Sequence, residues 1–128
     1  MHTWHNPKSV PQPPSKHAQA VESVSGLRWL HISGQIGLDQ DGKLADSEIG
    51  QHRQIWANIL NLLAAANMGP EHLVRVCCYV TRVDQIANYR ITRDEALKGV
   101  EVASTAVVVA ALARPEWVVE MDAVAAAP

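Results

Sequence analysis

The sequence predicts an α+β domain, a mixed β-sheet with two helices on one of its faces. Three observations carry that expectation. Apolar residues recur at three- and four-residue steps from Ile49 through Ile55, Trp56, Ile59, Leu60 and Leu63 to Ala66, the stripe of an amphipathic helix. Short apolar runs, 27–32 with its bulky side chains and 73–81, 104–112 and 117–125 with their valines, have the length and character of buried strands. Between the second and third of these, 85–98 carries a thinner helical stripe of Ile86, Tyr89, Ala96 and Leu97. The order is β-β-α-β-α-β-β, with room for a short strand at the N-terminus. One sheet covered on one side is the economical way to bury both stripes.

Taken along the chain, residues 1–128 read as one domain, with 1–16 as a proline-rich N-terminal arm. Pro7, Pro11, Pro13 and Pro14 fix φ and remove donors so closely together that neither a helix nor a central strand can pass through them. Weak alternation over 17–24, the turn pair Ser25-Gly26, and the return over 27–32 predict a β-hairpin. Ser33-Gly34 then strips the backbone of side-chain cover, so that a ligand can approach and adjacent N–H groups can hold an oxygen. Asp39-Gln40-Asp41-Gly42 marks a turn. Asp46-Ser47 caps the first helix, and Asn67-Met68-Gly69-Pro70 ends it with Gly69 as terminator. In 73–81, Val74, Val76, Cys78 and Val80 share one face, and Arg75, Cys77 and Tyr79 the other. Asp84 is placed to cap the second helix and Gly99 to stop it. The turn Ala113-Arg114-Pro115-Glu116 joins the last two strands as a hairpin. Because 106–111 is apolar on both faces, a sheet covered on one side leaves a bare patch, which predicts a homo-oligomer with open sheet faces packed together.

Composition narrows the function. Hydrophobic residues make up 48% of the chain and charged residues 19%, the balance of a globular protein with a core. A net charge of -2 with scattered Lys and Arg offers nucleic acid no footprint. No apolar run is long enough to span a bilayer and no signal peptide is evident, so a cytoplasmic protein without a membrane partner is expected. Cys77 and Cys78 are adjacent, point to opposite faces of a strand, and read as buried, inert thiols. The six histidines show no metal spacing; the pair His2 and His5 lies in a terminus expected to fray, and no metal is expected. The phosphate-binding patterns GxGxxG and GxxxxGK(S/T) and the nucleophile pattern GxSxG do not occur. Trp29, Trp56 and Trp117 supply core or interface area, with Trp117 also placed to wall a pocket. Glu120 and Asp122 share a strand face with Val118 and Val124. Glu120 is therefore either a solvated edge residue, the commoner case, or a buried acid suited to proton transfer.

Several separated motifs then agree in order with one family. Ser33-Gly34-Gln35-Ile36 followed by Leu38-Asp39-Gln40-Asp41-Gly42 resembles the SGQ(I/V)PLDPDG segment of the Rid (RidA/YjgF) proteins. Gln54 and Asn58 resemble their TRQxxxN helix. Ala64-Ala65-Ala66-Asn67-Met68 with Leu73-Val74-Arg75-Val76 resembles EAAG…DVVKV, and Val119-Glu120-Met121-Asp122-Ala123-Val124-Ala125 resembles VEIEAIA. The resemblance implies a chorismate-mutase-like (YjgF-like) fold assembled as a homotrimer around a central barrel, with small-molecule clefts between subunits. It also implies cofactor-free hydrolysis of reactive enamines and imines, such as 2-aminoacrylate, to keto acids and ammonia. In such a cleft an arginine binds the substrate carboxylate, a glutamate activates water, and a backbone N–H and a tyrosine complete the site. By position, Ser33 and Gly34 match the backbone site and Glu120 the glutamate. Ser104 stands where the arginine is expected and His17 where the tyrosine is. A serine cannot reproduce a bidentate charged contact, so Arg90 and Arg114 are candidate substitutes. Two readings follow: a small-molecule hydrolase, or a trimer that binds a metabolite without turnover. An acidic chain without a basic patch gives a ribonuclease activity no support.

Overall fold

In a computed structural model, described for residues 1–9, 15–18 and 20–128, the strands are β1 His2–His5, β2 Ala20–Ser23, β3 Arg28–Gln35, β4 Leu73–Val80, β5 Ala103–Val108 and β6 Val119–Ala127. The helices are α1 Glu48–Ala65 and α2 Gln85–Leu97, with a single 3-10 turn, Pro70–His72, leading into β4. Four strands form a mixed sheet in the order β3-β6-β4-β5. β4 and β5 run parallel through the α2 crossover, and β6 is antiparallel to both of its neighbours. Both helices pack on one face, as the sequence predicts, because each carries one stripe to bury.

Neither predicted hairpin forms. β2 pairs with β1 in a separate two-stranded ribbon, with Trp4 opposite Val21, rather than returning along β3. β4 lies between β5 and β6. The strands with the most apolar inward faces take the centre: Val76, Cys78 and Val80 of β4 and Val119, Met121, Ala123 and Ala125 of β6 are buried. β5 exposes Thr105, Val107 and Val108, takes the edge, and ends at Val108, four residues before the apolar run does. The N-terminus is a strand rather than a frayed end. His2 Nε2–H donates to the His72 carbonyl at 3.2 Å, which leaves Nδ1 to accept from the Ser23 hydroxyl at 2.9 Å. Residues 10–14 of the proline arm, Pro11, Pro13 and Pro14 included, lie outside the described residues.

The helix ends differ from expectation in instructive ways. Ser47 caps α1, its Oγ accepting the Gly50 N–H at 3.0 Å. The left-handed residue after α1 is Asn67 (φ 55), while Gly69 is extended (φ -131) and leads into the 3-10 turn. Asparagine tolerates that conformation better than most side chains. Asp84 does not cap α2; its carboxylate accepts from Arg82 instead. At the other end Lys98 (φ 48) turns the chain just before Gly99 (φ 92).

The uncovered sheet face is mixed rather than a bare apolar patch. Strand register sets Trp29 beside Ala126, His31 beside Val124, Cys77 between Asp122 and Thr105, and Tyr79 between Glu120 and Val107. The apolar run predicted to lie bare is therefore confined to the β5 edge and the connection after it. Among the described residues, no helix is long and apolar enough to cross a membrane.

Candidate functional site

The pairing of β3 with β6 loses register between Ile32 and Gln35, and this irregularity opens the backbone at Ser33-Gly34. Glu120 of β6 fills the space beside it. A Cβ on Gly34 would stand 2.9 Å from Glu120 Cδ and 3.3 Å from its Cγ, so only glycine lets the carboxylate lie against this backbone. Ser33 and Gly34 are exposed and Glu120 is half-buried. Tyr79 lies opposite Glu120 on β4 but gives its hydroxyl to Asp122 Oδ2 at 2.8 Å, and that acceptor pushes the phenol up to about 12. Among the described residues Glu120 has no hydrogen-bonding or ionic partner, and its oxygens are left for solvent or ligand. Beside Gly34 runs a groove of about 680 Å³ walled by the amides of Gln35, Gln54, Asn58 and Asn61. Asn58 holds this wall in place, donating to the Leu38 carbonyl at 2.9 Å and accepting from Gln54 at 2.9 Å.

A second group assembles at the other edge of the sheet. The Ala18 N–H donates to the Val102 carbonyl at 2.9 Å, which lays His17 along the start of β5. His17, Ser104, Tyr89, Arg90 and Arg93 line a cavity of about 100 Å³ between α2 and β5. The Tyr89 and Ser104 hydroxyls are hydrogen-bonded at 2.6 Å, and the Tyr89 ring stacks on Trp56 with centroids 6.3 Å apart. Burial is the main reason the Tyr89 phenol is raised to about 12. Arg93 is 2% exposed, and its guanidinium carbon lies 5.5 Å from the centre of the Tyr89 ring. Arg93 Nε donates to Asp94 at 3.1 Å, and its Nη2 is buried with no partner among the described residues. Burial first, then the charges of Arg93 and Arg90, lower the pKa of His17 against a smaller opposing pull from Glu101.

One chain thus brings Ser33, Gly34 and Glu120 together, and separately His17, Ser104 and Arg90. The two groups belong to opposite edges, β3 with its neighbour β6 and β5 with α2. Three interstrand steps put the edge strands about 14 Å apart. They also use opposite faces, because Glu120 shares the open face with Tyr79 whereas Ser104 pairs with Val76 and turns toward α2. Arg114 is exposed in the connection after β5, its carbonyl accepting the Trp117 N–H at 3.2 Å; neither residue lines the groove at Gly34 or the cavity at His17. Arg93 is not among the residues that the sequence singles out. Tyr89, Arg93 and Leu97 follow at four-residue steps on the buried stripe of α2, a spacing legible in the sequence had a charged residue been admitted to it.

The family model described as Endoribonuclease L-PSP matches residues 8–127. The chain belongs to this family, the Rid/YjgF proteins. A RutC family protein of Aquifex aeolicus is 34% identical over 94 residues, covering 73% of each chain. Protein HMF1 of Saccharomyces cerevisiae is 30% identical over 121 residues, 93% of this chain and 90% of that one. Among solved structures, a Rid-family protein of unknown function from Yersinia pestis superposes with a TM-score of 0.87 at 31% identity, covering 97% of both chains. RidA from an Antarctic Psychrobacter gives 0.72 at 27% identity over 90% of this chain and 91% of that one.

Proposed function

We propose that this Rid-family chain forms a homotrimer in which the Glu120–Gly34 edge of one subunit faces the His17–Ser104 edge of the next. The clefts so formed hydrolyse small enamines or imines to a carbonyl product and ammonia. The observation that carries the reading is the Glu120 carboxylate, which has no partner among the described residues and lies against the bare backbone of Gly34. A carboxylate fixed at a backbone opening, with room for water, is the arrangement a general base requires. The cationic cavity at the far edge is the complementary half, and only a second subunit can deliver it to Glu120.

Each step follows from these groups. Water adds to the imine carbon while Glu120 accepts its proton and hands it to the imine nitrogen, so that the C=N bond becomes a carbinolamine and the carboxylate is restored. The backbone N–H groups at Ser33-Gly34 hold the developing negative charge. His17, neutral at pH 7 because its pKa is lowered, relays a proton from the carbinolamine hydroxyl to nitrogen. The C–N bond then breaks, ammonia leaves and C=O remains. Ser104 and Arg90 bind the substrate's polar end. Hydrolysis consumes only water, so this scheme uses no cofactor.

The replacement of the family's arginine by Ser104 favours a second reading, a trimer that binds a metabolite without turning it over. One experiment separates the two. A dehydratase generates 2-aminoacrylate and keto-acid release is followed with and without the protein. The hydrolase reading expects a faster release that Glu120→Gln reduces about 100-fold or more. An unchanged rate, together with a ligand that raises Tm and is recovered intact, supports binding alone. A monomer by light scattering breaks the shared cleft in either form.

A further inference from the structure

We infer that Gln51 is a positioning residue for the site at Gly34: from the start of α1 it clamps the chain that leads into β6 and so holds Glu120 in place. For its part in turnover this rests on the hydrolase reading above; the clamp itself stands on the single chain. The last pair between β3 and β6 is Gln35 with Met121, so Glu120 lies one residue beyond the ladder that would hold it beside Gly34. On its other side β4 still holds the chain, through Tyr79 opposite Glu120, Val80 opposite Val119, and the Thr81 N–H donating to the Val118 carbonyl at 3.1 Å. A strand end paired on one side alone is free to fray.

Gln51 supplies what the departing strand does not. It is 4% exposed. Its Oε1 accepts the Val118 N–H at 3.1 Å, and its Nε2 donates to the Glu116 carbonyl at 3.1 Å. An N–H can only donate and a carbonyl can only accept, so the amide has one orientation. Both its ends are spent on main chain two and four residues before Glu120. The exit of β3 meets the same residue. A Cβ on Gly37 would stand 2.7 Å from Gln51 Cα and 2.8 Å from its Cβ, so only glycine lets the chain after Gly34 lie this close. The Gly37 carbonyl accepts the Ala45 N–H at 3.0 Å, which ties that exit to the segment leading into α1. Both chain segments that flank the Glu120–Gly34 contact are therefore referred to one buried residue. A displacement of about 1 Å at a reacting group can cost about 100-fold in rate, so such an anchor matters to the base without touching substrate.

The test pairs turnover with amide hydrogen exchange. Gln51→Met fills the same space and makes neither bond. With 2-aminoacrylate supplied by the dehydratase at graded rates, it should lower kcat about 30-fold and move KM less than about threefold. In the Glu120→Gln background the same change should cost about twofold or less, because nothing is left to position. Amides 118–121 should exchange faster in Gln51→Met, with 123–127 as in the wild type. If that variant does not fold, the wild type decides: the Val118 amide should be as protected as that of Val80. Equal losses in both backgrounds, a change in KM alone, unaltered exchange over 118–121 in the folded variant, or an unprotected Val118 overturns the assignment. Wild type that leaves the enamine untouched defeats the hydrolase reading, and exchange then decides the clamp. Turnover indifferent to Gln51→Met keeps that reading and removes this one.

Discussion

The two helices cover the same face of the same sheet, and they cover it with opposite chemistry. α1 buries Ile55, Trp56, Ile59 and Leu63 in the main core. α2 buries Gln85, Tyr89, Thr92, Arg93 and Leu97, a stripe that is mostly polar. Burial of apolar side chains stabilises a fold directly, at about 1.5–3 kcal/mol for each large one. Burial of amides and a guanidinium stabilises nothing unless each polar atom finds a partner. The contrast separates a helix that secures the sheet from one that builds a cavity at its edge. The contact between them fits this division, since Trp56 of α1 supports the ring of Tyr89 that forms the cavity wall.

The comparison breaks most readily at the centre of α1. Ile59 is fully buried, so Ile59→Ala should cost about 3 kcal/mol and lower Tm by roughly 10 °C. Keto-acid release from 2-aminoacrylate should stay at the wild-type rate once the variant is folded. Denaturant melts and a release assay on one preparation check both halves. A variant that keeps its stability, or loses activity in step with stability, would show that the two helices do not divide the work.

A smaller effect belongs to the polar bridge between the helices. His52 of α1 is fully buried, and its Nε2–H donates to Gln85 Oε1 of α2 at 2.9 Å. Nδ1 is left with no partner among the described residues. Burial lowers the His52 pKa below 6.5, against opposing pulls from Gln85 and Glu48. Above pH 6.5 both folded and unfolded chains hold it neutral, and its packing contributes in full. As pH falls through 6.5 the unfolded chain takes up the proton first, so stability is lost on the acid side. His17, also lowered, acts in the same direction. Between pH 7 and 5 the Tm of His52→Gln should therefore fall less steeply than that of the wild type, whatever its absolute value. Parallel slopes would remove the bridge from the account.

What could be read in the sequence follows the same division. α1, β4 and the inward face of β6 were legible because burying one apolar stripe leaves a periodic trace in the chain. Pairing was not, since Ser25-Gly26 and Ala113-Arg114-Pro115-Glu116 mark turns without saying which strands they bring together. The choice of neighbours rests on burial across the whole sheet, which put β4 between β5 and β6. The surroundings of Ser33-Gly34 were legible as a bare backbone, and the motif around Glu120 gave that backbone its acidic neighbour. Arg93 was not, because a charge on a helix ordinarily marks the solvent side. Only the third dimension shows Arg93 closing over Tyr89.

The finest distinction between the helices lies at their first turns. Both begin at a residue suited to capping, but only one caps. Ser47 Oγ accepts the Gly50 N–H at 3.0 Å, so Ser47→Ala leaves an N-terminal donor of α1 without that acceptor and should cost about 1 kcal/mol. Asp84 has given both carboxylate oxygens to Arg82, which also reaches Glu48 on α1. That cluster is exposed, and exposed ion pairs contribute little. Asp84→Ala should therefore leave the denaturation midpoint almost unmoved, although by residue type alone aspartate is at least as good a cap as serine. Urea melts of the two variants side by side decide it. Equal losses would mean that Asp84 caps α2 in solution, and that the two helices start alike despite burying such different stripes.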